Sequence, residues 1–61
     1  MANMIEIRER QKFHLYSLLK IKKANEGLEI KELSDEIRLA VTMMEPEDVA
    51  YVEKLVGAKA F

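Results

Sequence analysis

Sixty-one residues with a net charge of −1, no cysteine and one histidine allow one small domain and exclude several chemistries at once. Without thiols there is no disulfide, no zinc–thiolate site and no cysteine nucleophile, and His14 alone cannot build a multi-histidine metal site. A chain this short buries only about 60% of the surface its unfolded form exposes, so self-association is the expected way to complete its core.

Hydrophobic residues make up 49% and charged residues 34% of the chain, the profile of a folded helical domain rather than a disordered segment. No apolar run approaches the roughly 20 residues that span a bilayer, and Met1 to Gln11 does not read as a signal peptide. The expected location is cytoplasmic, with no membrane partner. Charge is divided unevenly along the chain. Through Asn25 six cations face only Glu6 and Glu9, a balance of +4, whereas the balance from Glu26 onward is −5. A basic helix followed by acidic ones favours antiparallel packing, each exposed pair contributing only about 0–1 kcal/mol.

The first predicted helix covers about residues 4–25, with Asn3 as its N-cap. Wound at 100° per residue, Met4, Ile7, Leu15, Leu18, Leu19 and Ile21 share one side, which Ile5 and Tyr16 widen. Only Phe13 lies clearly opposite. The heptad-spaced series Met4, Ile7, Gln11, His14, Leu18, Ile21, Asn25 has three polar members, and such residues fix register at some cost in stability. In the simpler reading, Gln11 and His14 are half-wet boundary residues. Gly27 suits a left-handed helix stop, Lys22 and Lys23 complement the carbonyl end of the dipole, and Leu28 is expected to fold back beyond the cap. The short turn predicts an antiparallel second helix.

That helix, about 29–43, has the cleanest pattern: Ile30, Leu33, Ile37, Ala40 and Met44 repeat at 3-4-3-4 spacing, widened by Val41. Glu29 and Glu32 belong to its first turn. Leu39 stands apart from the stripe and Met43 sits at its margin, while Met4 and Met44 are expected to fill the core. Pro46 then breaks the chain and opens a third helix, about 46–56, whose acidic start (Glu45, Glu47, Asp48) answers the helix dipole. Val49, Val52, Leu55 and Val56 form its apolar side, Gly57 ends it, and Phe61 closes a short tail. The expected core is Ile7, Leu15, Leu18, Leu19, Ile30, Leu33, Ile37, Val52 and Leu55. The fold class is all-α: a helical hairpin plus a shorter third helix, completing a helical bundle by dimerisation.

Catalytic constellations are hard to assemble from these residues. Ser17 and Ser34 lack a glycine-rich elbow or a suitably spaced base, and Gly27 and Gly57 are too far apart for a phosphate loop. A helical di-metal site wants a Glu three residues before a His, and His14 is preceded there by Gln11. No catalytic, cofactor or metal residue is therefore assigned. The acids Glu32, Asp35 and Glu36, like those around Pro46, read as solvated faces and dipole partners. Arg8, Arg10, Lys12, Lys20, Lys22 and Lys23 could follow a phosphate backbone, but they are scattered round the helix and no second element supplies base-reading residues. From Ile30 to Val41 the chain looks like the first helix of a helix-turn-helix, which the uninterrupted apolar pattern to Met44 leaves incomplete.

Gly27-Leu28 followed by Leu33-Ser34-Asp35-Glu36-Ile37-Arg38 resembles the small aspartyl-phosphate phosphatases of spore-forming bacteria, which carry Ser-Gln-Glu-Leu-Asp on a second helix. Ser34, Glu36 and the apolar Ile37 match, Asp35 replaces Gln, and Arg38 stands where the functional Asp belongs. The resemblance implies a response-regulator phosphatase, without its key carboxylate. The leading expectation is instead a non-enzymatic protein–protein interaction module, a regulator or adaptor acting as a homo-oligomer or on another protein. Its interface residues are Phe13, His14, Leu39 and Met43. Phosphatase activity and nucleic-acid binding are the alternatives.

Overall fold

The computed structural model describes residues 3–61 and contains three helices, α1 (Met4–Ala24), α2 (Lys31–Thr42) and α3 (Pro46–Val56), with no strand among the described residues. The chain is all-α, as its periodicity predicts. α1 starts where Asn3 is extended and its Oδ1 accepts the Glu6 amide at 2.9 Å. That bond satisfies one of the free N–H groups exposed by every helix start. At the other end the Asn25 amide donates to the Ile21 and Lys22 carbonyls, and its Nδ2 also donates to Ile21 at 2.8 Å. Gly27 then turns the chain at φ 93°, a conformation that strains residues with a Cβ. The expected fold-back of Leu28 does not form. Leu28 is exposed, and the half-buried Ile30 holds the start of the next helix instead.

α2 begins at Lys31, two residues later than its acidic start predicts, so Glu29 lies outside it. Ile30 occupies the N-cap and offers no side-chain acceptor; its apolar anchoring, not a cap bond, sets where the helix begins. The last turn tightens as the Met43 and Met44 amides donate to the Ala40 and Val41 carbonyls at 3.3 and 3.1 Å. Pro46 opens α3 and Gly57 closes it at φ 79°, both as predicted. A Cβ on Gly57 would come within 3.0 Å of Lys23 Nζ, so glycine suits both the conformation and the space.

α1 is the central element. α2 and α3 each pack on it and hardly touch one another. Arg8, near the start of α1, reaches Asp48 near the start of α3, and Lys23, near its end, reaches the Val56 carbonyl; these two helices run parallel. α2 returns antiparallel, bringing Met43 beside Arg10 and His14. The wide apolar face of α1 is thus shared between two neighbours. Leu15 and Leu19 lie between them, buried with Ile37, Ala40 and Met44 of α2, Val52 of α3 and Ala60 of the tail.

Of the expected core, Leu15, Leu19, Ile37 and Val52 are fully buried, and Leu18, Ile30 and Leu33 are half-buried. Two residues fall outside it. Ile7 is 39% exposed because it lies past the end of α2. Leu55 is 60% exposed. It sits about 60° round α3 from Val52, on the solvent flank. Met4, in the overhanging first turn of α1, is likewise exposed rather than core-filling, whereas Met44 is buried.

The parallel packing also redirects Lys22 and Lys23. Both lie in the last turn of α1, as expected, and their ammonium groups also serve the end of its neighbour. Lys23 Nζ donates to the Val56 carbonyl at 3.0 Å, and Lys22 Nζ to the Lys59 and Ala60 carbonyls at 2.8 and 3.1 Å. The Ala60 amide in turn donates to Glu53 Oε2 at 2.7 Å. Ala60 is the tail residue that docks, and Phe61 stays outside.

Candidate functional site: an apolar interaction surface

The four expected interface residues all reach solvent, but the chain does not gather them into one patch. His14 and Met43 line a shared depression of about 190 Å³ with Arg10, Gln11 and Ala40, where the end of α2 meets α1. Met43 is 67% exposed there. Leu39 is exposed one turn earlier on the same flank of α2, outside the depression. Phe13 is 70% exposed and lies on the outer side of α1, about 100° round from His14.

Two residues missing from the expected interface join the surface. Ile7 and Ile21 are both exposed, seven positions either side of His14. Heptad spacing puts the three in one row along α1. The signal was present in the heptad-spaced series; placing Ile7 in the core and Ile21 on the same apolar side hid it. Single exposed apolar residues are ordinary. Here only four large side chains are fully buried, while eleven large apolar ones are exposed among the described residues. The rod-like molecule, 39 × 21 × 16 Å, has an accessible surface of 4852 Å². A compact monomer of this mass exposes roughly 4,100 Å². The excess is about the 800 Å² that one partner contributes to a standard protein interface.

The polar groups are mostly occupied within the chain. Arg8 Nε and Nη2 donate to the two carboxylate oxygens of Asp48 at 2.9 Å each, and Nη2 also donates to Glu47 at 3.2 Å. Hydrogen bonding and charge from Arg8, helped by the charge of Lys12, hold the Asp48 carboxyl below the ordinary carboxylate range although it is only 6% exposed. The same bonds push the Arg8 guanidinium further up. Asp48 is thereby fixed as an ion-pair partner, with neither oxygen free for proton transfer. Lys12 lies 2.9 Å from Glu9, whose hydrogen bond raises its pKa, and it also faces the Tyr51 ring at 5.6 Å. Lys20 covers Tyr16 at 5.4 Å.

Of the six cations that could follow a phosphate backbone, Arg8, Lys12, Lys20, Lys22 and Lys23 are therefore engaged in internal contacts. That leaves little of a free basic stripe. A wider hollow of about 690 Å³ opens at the far end, lined among others by Lys22, Lys23, Glu53, Lys54 and Lys59. Its lysines are partly spent on backbone carbonyls, and Glu53 on the Ala60 amide. It is the seam that fastens the tail.

Ser34, Asp35, Glu36 and Arg38 are each exposed on α2, and Ile37 faces inward. Among the described residues no group of three His, Asp or Glu side chains is placed to hold a metal ion, and no helix is long and apolar enough to cross a membrane. No family model, curated protein or solved structure matches this chain.

Proposed function

We propose that this chain is a non-enzymatic helical interaction module that works as a homo-oligomer, in the manner of a small regulator or adaptor. The observation that carries the reading is the inverted apolar balance: four large side chains fully buried, eleven exposed. Apolar surface left in water forfeits about 25 cal/mol per Å², and covering it with another helical face recovers that term. Of these residues, Met43 lines the depression where the end of α2 meets α1, Leu39 is exposed one turn earlier on α2, and Ile7 and Ile21 lie in the row of α1 that contains His14. The phosphatase alternative has Ser34 and Glu36 exposed on α2 but an arginine, Arg38, in the carboxylate position.

Sedimentation equilibrium across the micromolar range tests the oligomer. A dimer whose population rises with concentration is the expected result. A clean monomer at high micromolar concentration overturns it. Phosphate release from a phosphorylated receiver domain would transfer the case to the phosphatase reading.

A further inference from the structure

We propose that self-association of this chain is switched off by mild acid, through protonation of His14 inside the surface that a second copy covers. This rests on the homo-oligomeric reading and adds its regulation.

Position places the histidine within that surface. Ile7, His14 and Ile21 are spaced by seven, and such a row drifts by only about 20° per heptad, so the three share one side of α1. Both isoleucines are exposed, and at a rise of 1.5 Å per residue they stand about 21 Å apart with His14 midway. A second copy that covers the two isoleucines therefore covers the imidazole between them. The depression beside His14 extends the surface onto α2 through Ala40 and Met43. A second copy is the occupant that the area fits. The surface in excess of a compact monomer, about 800 Å² per chain, is what each partner gives to a standard interface.

Charge decides which form of the imidazole can be covered. The depression is lined by His14, Arg10, Gln11, Ala40 and Met43, so the one charged neighbour is a cation, a turn away on the same helix. Arg10 forms no ion pair within the chain among the described residues. Carboxylates lie further off. Glu9 is about 140° round α1 from His14 and pairs with Lys12, and Glu6 is two turns away. On α2 the nearest acid is Glu36, one turn from Ala40, exposed and outside the depression. α3 packs on the flank of α1 that carries Arg8 and Lys12, about 120–160° round from His14, and brings no charge to this side. The same face of a second copy adds its own Arg10 and His14, with Glu36 again the nearest acid.

A neutral imidazole is covered at modest cost. An imidazolium beside Arg10 loses its hydration with no carboxylate in its place, and the like charge opposes it further. The covered state thus disfavours the proton. Association is at full strength above the pKa of a free histidine, about 6.5, and is lost as the pH falls below it. His14 is the chain's one histidine, the side-chain type whose ordinary titration falls in this range. The loss tied to Asp48 lies lower, in the carboxylate range, so the two are separable.

Sedimentation equilibrium at pH 7.5 and 5.5, at one ionic strength, tests the wild-type chain beside H14Q and H14L. The wild-type dissociation constant should rise by about tenfold or more on acidification, reaching about a hundredfold if both imidazoliums are excluded outright. His14 is exposed in the single chain, so both variants should keep the fold, as circular dichroism establishes. Their dissociation constants should change by less than about twofold between the two pH values. Equal wild-type affinity at both pH values overturns the switch and leaves the homo-oligomeric reading intact. A pH dependence that persists in both variants overturns it too. So does loss of association by both variants at pH 7.5, because a neutral side chain at position 14 is all that the contact requires. A wild-type chain that stays monomeric at pH 7.5 overturns both.

Discussion

Asp48 shares the start of α3 with Glu45 and Glu47, and of the three only Asp48 is buried. Arg8 makes the difference. It stands seven positions before Leu15 on the inner side of α1, as Asp48 stands four before Val52 on the inner side of α3, so both belong to inward-facing rows. The acid count alone made the three carboxylates equivalent dipole partners; wheel position separates them, and that signal was legible once paired with a cation on the facing row. The direction of the shift fixes a pH dependence. Because the folded-state pKa of Asp48 is lowered, its contribution is fully present above the unfolded value of about 3.9 and is lost as pH falls through the folded value. Asp48→Asn is expected to lower the Tm at neutral pH and to remove part of the acid-side loss below about pH 4. Thermal unfolding followed across that range checks it; superimposable acid limbs would show that the pair contributes nothing to stability.

The elements differ in how plainly their sequences announce them. Pro46 and Gly57 bracket α3, and its observed limits match the expected ones, because both residues act through backbone geometry that packing does not override. α2 was clear in its stripe and less clear at its start, where anchoring by Ile30 replaced a side-chain cap. α1 was the least legible, since its apolar face is two faces side by side, one for each neighbour. A single helix's periodicity does not show where one ends and the other begins. Substitutions should report this division. Ile37→Ala, at a fully buried position of α2, is expected to cost about 2–5 kcal/mol. Leu55→Ala, on the open flank of α3, should stay within about 0.5 kcal/mol. Urea denaturation of both variants measures the difference, and equal costs would mean that the flank of α3 is as tightly packed as the centre.

At the scale of the whole molecule, the central place of α1 follows from its width and its charge, both visible in the sequence. The docking of the tail was not visible. It depends on Lys22 reaching carbonyls 37 and 38 residues away, and a lysine next to a helix end carries no mark of that destination. The separation of contacting residues has a further consequence, for the order of folding. α1 and α2 meet across one short turn, whereas the Arg8–Asp48 contact closes a loop spanning 40 positions. Loop closure raises the entropic cost of distant contacts, so the α1–α2 hairpin should form the folding nucleus and α3 should dock after the main barrier. Asp48→Asn would then speed unfolding while leaving the refolding rate nearly unchanged, as stopped-flow chevrons at fixed protein concentration can read. A refolding limb slowed in proportion to the lost stability would instead place α3 in the transition state. On the first outcome, the chain spends its last folding step fastening a helix and a tail onto a hairpin already made.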